Sequence, residues 1–194
     1  MTFIEYLQHQ ATTAIASIPI KDANEIYAIS FWIDDEDDDP RRPILIIGYN
    51  TESQVKQTIL EGRASDPAEA RWNYAFWLQN QLAVIGDRTH DPVGAAAREA
   101  WIKELGHWYD EPATEADRLT SIGPLAQQIE AAFNRACCDL SLTLHSTGVL
   151  TAALGRSVPV LVHELEYYEQ IALRTEAANP SGLADAFITW VRTS

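Results

Sequence analysis

Apolar side chains recur at helical spacing over residues 3–17, where Ile4, Leu7, Ala11, Ala14 and Ile18 share a face and Gln8, His9 and Gln10 lie off it. Pro19 ends that helix. The pattern then shortens. Residues 25–33 and 43–49 are dense in β-branched and aromatic residues and predict two strands joined as a long hairpin. Asn50 or Thr51 begins the next helix, which runs to about Glu61, and Thr51 with Gln54 fits the Thr-x-x-Gln capping box. Residues 70–85 satisfy both periods; we expect a strand near 70–76 and an irregular or helical segment after it.

The second half reads as helical. Asp91 caps and Pro92 opens a helix over 92–105, with Ala96, Ala100, Trp101 and Leu105 on one face and a loop over 106–112 beyond it. Residues 122–143 carry Ile122, Leu125, Ile129, Ala132, Phe133 and Ala136 at three- and four-residue intervals, a long buried helix with Pro124 in its first turn. The run from Val158 to Val162 predicts a short strand, either at a sheet edge or with Pro159 outside the ladder. A helix is expected from Glu164 to about Ala178. Asn179-Pro180-Ser181 breaks it, and a final helix buries Leu183, Phe187, Trp190 and Val191. The expectation is an α+β fold over a single domain, 1–194. It has an N-terminal helix, an antiparallel sheet built on the 25–49 hairpin, and a mainly helical C-terminal half.

Composition narrows the function classes. With 194 residues, 46% apolar and 22% charged, the chain suits a folded domain that buries roughly 70% of its unfolded surface. The net charge of −14 disfavours nucleic acid and anionic membrane surfaces, both of which select for Lys and Arg. The first residues hold an acid and no basic leader, and no apolar run reaches the ~18 residues of a membrane span. Cys137 and Cys138 are adjacent, no framework for a disulfide fold, so a reducing, cytoplasmic setting is expected.

Six of the acids are consecutive, Asp34-Asp35-Glu36-Asp37-Asp38-Asp39, and fall between the two hairpin strands. A calcium loop needs glycine sixth and glutamate twelfth; counting from Asp34 these places hold Asp39 and Leu45. The run therefore reads as a solvated hairpin tip that guards a sheet edge and steers a cationic partner. His163-Glu164-Leu165-Glu166-Tyr167 shares the opening of a zinc-peptidase motif but has Tyr167 where the second histidine must stand, so it reads as a strand-to-helix junction with its acids at a helix N-terminus. His145-Ser146 has no nucleophile-elbow glycines around it, and no phosphate-cradling glycine motif occurs. No metal and no cofactor are expected.

Three segments carry a resemblance: Tyr49-Asn50-Thr51-Glu52 after the hairpin, the run from Arg71 to Trp77, and the stretch from Ser157 through His163 to Tyr168, with Asn179-Pro180 behind it. In these the chain resembles an uncharacterised family of small bacterial cytoplasmic proteins, some of them near toxin and immunity genes. The resemblance implies no active site. The leading reading is a non-enzymatic acidic interaction protein, an immunity-type or regulatory partner of a basic protein. Its contact candidates are residues 34–39 with Trp72, Tyr74 and Trp77, large aromatics of the kind that anchor interfaces and, more often, cores. The alternative is a small-ligand binder or hydrolase with a pocket gathering His107, Asp110, His145, His163 and Glu164. A structural homo-oligomer is a third reading.

Overall fold

The computed structural model describes residues 1–111 and 122–193 and has the expected α+β character, with nine helices and four strands among those residues. Helix α1 (Phe3–Ala16) starts where Thr2 and Glu5 cap each other reciprocally, Thr2 N donating to Glu5 Oε2 at 2.8 Å and Glu5 N to Thr2 Oγ1 at 3.3 Å. It buries Phe3, Tyr6, Leu7, Ala11, Ala14 and Ile15. Ile4, placed on that face by the spacing, stands exposed instead, because Phe3 and Tyr6 take the inward positions. A short α2 (Ile20–Ala23) follows Pro19 and leads into β1 (Ile26–Asp35) and β2 (Pro43–Thr51).

These two strands pair antiparallel from Ile26↔Thr51 to Asp35↔Pro43. They do not lie at an edge. Sheet order is β3-β2-β1-β4, with the short β3 (Ala83–Ile85) antiparallel to β2 and β4 (Val160–His163) parallel to β1. The sheet is thus mixed rather than purely antiparallel. A parallel neighbour needs a long crossover, and the helices of the second half supply it.

Helices cover both faces, which is why β1 and β2 are apolar almost throughout instead of alternating. On one face Ile29, Phe31, Leu45, Ile47, Val160 and Val162 pack against α1 and against α6 (Gly123–Ser146) and α7 (Val149–Leu154). On the other, Ala28 and Leu161 meet Val55 of α3 (Glu52–Leu60), Trp72 of α4 (Pro67–Trp72), Ile171 of α8 (Glu169–Ala177) and Phe187 of α9 (Asp185–Thr193). Helix α5 (Pro92–Glu104) packs on α1 and is capped by Asp91, as expected. The loop expected over 106–112 is described as far as Glu111.

Two local expectations are corrected. Residues 70–76 form no strand: Asp66 accepts from the amides of Ala68 and Glu69, Pro67 takes the first helical position, and α4 then passes into a 3-10 turn at Tyr74–Phe76. The last long helix starts at Glu169, not Glu164, because residues 164–168 turn to bury the Tyr167 ring in the second core, where its hydroxyl accepts from Tyr74 N at 3.0 Å.

Side-chain amides finish the sheet. Asn179 Oδ1 accepts from Val160 N at 2.9 Å and its Nδ2 donates to Val160 O at 2.7 Å, while Thr175 Oγ1 accepts from Val162 N at 3.2 Å. The outer edge of β4 is covered by α8 and by the residues just beyond it. Asn80 does the same for β2 past the end of β3, accepting from Tyr49 N and donating to Tyr49 O. Gly48 makes room, since a Cβ there would sit 2.6 Å from Asn80 O. Asn179→Ala should cost about 2–3 kcal/mol in urea unfolding, by stranding buried backbone groups of β4. A loss below about 0.5 kcal/mol would show that water or a neighbour replaces the amide.

Candidate functional site

The acidic run divides in two. Glu36, Asp37 and Asp39 are held by arginines: Arg88 Nε donates to Glu36 Oε1 at 3.0 Å, Arg42 Nη1 to Asp37 Oδ2 at 3.2 Å, and Arg41 Nη2 to Asp39 Oδ2 at 2.8 Å. Arg88 Nη2 also bonds Asp37, and the side chains of Arg41 and Glu111 pair beside them. Asp37 and Asp38 adopt positive φ, 59° and 54°, a left-handed conformation that aspartate tolerates better than most residues. The tip is therefore an ordered, ion-paired turn between the two central strands. It guards no sheet edge.

Asp34, Asp35 and Asp38 make no ion pair among the described residues. They line a cavity of about 590 Å³ together with Glu130 of α6 and with Glu164 and Glu166 behind β4. The indole of Trp32 and the half-exposed ring of Tyr168 complete its walls. The topology accounts for its position. β1 and β4 run parallel, and β4 ends at His163 opposite Trp32, so Glu164 follows it beside the point where β1 turns from apolar residues to acids; crevices at the carboxyl ends of parallel strands are where such sheets take ligands.

Among the described residues one cation answers these six carboxylates from behind. Arg174 Nη1 donates to Glu164 Oε1 at 2.7 Å, with Nη2 3.8 Å from Glu130. Asp35 is left half-buried without a counter-charge among the described residues. Burial, then the neighbouring Asp34, Glu130, Glu164 and Asp39, pushes its carboxyl up to about 6. Trp32 Nε1 is buried without a hydrogen-bond partner among the described residues. No three His, Cys, Asp or Glu side chains among the described residues are placed to hold a metal ion. The carboxylates stand around a cavity and do not converge on a point, an arrangement suited to an extended ammonium or guanidinium group.

The other candidates separate. Trp72, Tyr74 and Trp77 are all buried, forming a core with Tyr27 and Phe187, so they offer no contact surface. The histidines do not gather either. His145, in the last turn of α6, has Nε2 3.2 Å from Asn179 Oδ1, and burial lowers its pKa. His107 lies past α5, its backbone amide bonded to Ile102 O, and Asp110 follows in the same loop with no ion pair among the described residues. His163 sits against Tyr74, Trp77 and Tyr167. Of the expected pocket, only Glu164 reaches the acidic cavity.

His163 nonetheless ties the cavity to the core. Its Nδ1 is 2.8 Å from Glu164 O, an acceptor, so Nδ1 carries the proton and Nε2 accepts from Ser30 Oγ at 2.8 Å. A serine bonded to a neutral imidazole has the form of an activated nucleophile. Here both side chains are 1% exposed, and no reactant reaches Oγ. Cys137 and Cys138 are likewise buried as thiols, and burial raises both pKa values, Cys138 to about 11.

Sequence reasoning found the aspartates and missed Trp32, Glu130, Glu166 and Tyr168. A signal was present: an apolar strand followed by paired acids occurs twice, at Asp34-Asp35 and at Glu164 with Glu166. Comparison with protein-family models, curated proteins and solved structures finds no match for this chain. The family resemblance rests on the residues quoted for it alone.

Two titrations oppose each other. His163 is pushed by burial to about 4, below its ordinary 6.5, so between those values the unfolded chain binds a proton that the folded chain refuses. Its contribution is complete above pH 6.5 and is lost as pH falls toward 4. Asp35 has the reverse sign: its folded pKa lies above the ordinary 3.8, so its cost is full above pH 6 and is relieved as pH falls. In urea unfolding, Asp35→Asn should gain about 1 kcal/mol at neutral pH and lose that advantage near pH 4.5. The same variant should then show a steeper acid loss than wild type, because the His163 term stands unopposed. An advantage that persists at pH 4.5 would remove Asp35 from this account.

Proposed function

We propose that this is a non-enzymatic acidic interaction protein, and that the cavity at the ends of β1 and β4 receives cationic side chains of a basic partner. An immunity-type or regulatory partner that works in the cytoplasm is the form this takes. The observation that supports it most directly is the division of the acidic run. Three of its carboxylates are neutralised within the chain, while Asp34, Asp35 and Asp38 are directed to a cavity already lined by Glu130, Glu164 and Glu166. Trp32 and Tyr168 add aromatic faces, which attract Lys and Arg in partly desolvated sites by ~1 kcal/mol each. The net charge of −14 raises the encounter rate with such a partner at long range and is screened by salt.

A free polyamine carries the same ammonium chemistry as a lysine-rich segment, so both belong in the test. Calorimetric titration with an Arg/Lys-rich peptide and with a linear polyamine, each at low and at physiological salt, should show the peptide binding more tightly and both weakening with salt. Asp34→Asn, Asp35→Asn and Asp38→Asn combined should weaken the peptide about tenfold, the summed effect of three partly exposed charge pairs. Acidification through pH 6 should weaken it as well, since Asp35 then loses its charge. Unchanged affinity in the triple variant would sink the proposal, and tighter binding of the polyamine would replace the protein partner with a small ligand.

A further inference from the structure

Helix α6 carries an exposed ridge apart from Glu130. Gln128, Ala131, Arg135, Asp139, Leu142 and Ser146 recur at three- and four-residue intervals, and all are exposed. Beside the ridge lies an apolar cavity of about 390 Å³, lined by Ile4 and Leu7 of α1, Trp101 and Leu105 of α5, and Ala132 and Leu140 of α6. Helical spacing places Ile4 and Leu105 on buried faces, yet they stand 44% and 41% exposed. The apolar stripes of α1 and α5 thus continue past the core and end at this cavity.

Arg135 and Asp139 are the two charged residues that line it among the described residues. Neither side chain has an ion-pair or hydrogen-bond partner among those residues. They stand four apart on one helix, but arginine before aspartate is the poorer order for such a pair, since each charge then lies toward the helix end of its own sign. Every other arginine among the described residues bonds a carboxylate or a carbonyl.

The ridge is complementary to itself when reversed. Two α6 helices laid antiparallel and level at Cys137 set Arg135 of each opposite the partner's Asp139. The same register sets Ala132 opposite the partner's Leu142, Ala131 opposite its Thr143, and Gln128 opposite its Ser146. Small side chains meet larger ones, cation meets anion, and no acid meets an acid. Leu142 is 39% exposed and does not line the cavity of its own molecule. In this arrangement it becomes a knob directed at the other copy's cavity beside Ala132.

We propose that a second copy of this chain covers this face, in a closed two-fold dimer built on antiparallel α6 helices with two Arg135–Asp139 pairs across the axis. The ridge from Gln128 to Ser146 spans about 27 Å at ~1.5 Å per residue, and α1 and α5 widen the face to roughly 20 Å. Those dimensions suit the ~800 Å² per partner of a specific interface. The charge of −14 on each copy opposes association at long range. Physiological salt limits that repulsion to about 8 Å, and the ridge itself is neutral. The acidic cavity shares no lining residue with this one, so the dimer stands independently of the function proposed above.

The test is sedimentation velocity of the full chain at physiological salt, from low micromolar to submillimolar concentration, where a reversible dimer is expected. Arg135→Asp and Asp139→Arg should each raise the dissociation constant about tenfold or more, because each sets like charges together at two contacts. Combining them should restore it to within about threefold of wild type, since the pairs re-form with their signs exchanged. Leu142→Asp should leave a monomer. All three positions are exposed, and circular dichroism checks that the variants fold. A wild-type chain that stays monomeric at the highest concentration would overturn the proposal, as would assembly beyond the dimer. A double variant as weak as the single ones would overturn it by removing the pairing of Arg135 with Asp139. Association indifferent to Leu142→Asp would place the interface elsewhere and overturn it too.

Discussion

Strand β1 is enclosed on four sides. β2 and β4 occupy its two edges, and helices cover its two faces. A strand so enclosed is apolar at nearly every position, and wherever its side chains turn ionic it must have left the core. That change falls between Ile33 and Asp34. The last pairs of β1 with β2 follow this boundary, Asp34 opposite Ile44 and Asp35 opposite Pro43, so the first carboxylates stand on the strand end itself, just before the turn that holds Asp37 and Asp38. Because β4 runs parallel and ends with His163 opposite Trp32, just short of those aspartates, the acids after β4 arrive at the same place.

The acidic turn separates two electrostatic regions. On its α6 side the carboxylates meet little positive charge. On its α5 side they are bound to arginines, one of which is buried almost completely. Six acids adjacent in sequence therefore have two environments, because a tight turn directs neighbouring side chains to opposite sides. Net charge and charge runs describe neither region, since both are sums over the turn.

Much of the fold is legible in the sequence where local signals are strong. The capping box at Thr2 and Glu5, Asp91 before Pro92, Thr51 with Gln54, and the three- and four-residue spacing from Ile129 to Ala136 each specify an element through contacts within a few residues. The errors share a cause. Arg71 to Trp77 alternates like a strand, yet Trp72, Tyr74 and Trp77 are packed by α9 and by Tyr27, partners that no local window contains. Glu164 to Tyr168 has helical composition, but His163 binds Glu164 O and Tyr167 packs against the core, so the segment turns instead and the helix begins at Glu169. The parallel pairing of β4 has no local signal, although Pro159 correctly marks an edge. For the site, Asp34 to Asp39 were visible as a run. Their division, and the contribution of Glu130 from a helix some hundred residues along the chain, depended on topology.

Asn179 and Asn80 carry a consequence for the sheet's size. Neither β4 nor the outer part of β2 stops for lack of backbone groups to pair; each stops because an asparagine side chain presents the donor and acceptor of one peptide unit and then nothing further. The sheet's outer edges are thus closed by side chains, the two amides with the Thr175 hydroxyl on Val162, and not by the length of chain available. A relative with another residue at Asn80 would free the backbone donor and acceptor of Tyr49 at the outer edge of β2, whereas at β4 the Thr175 hydroxyl would still hold Val162.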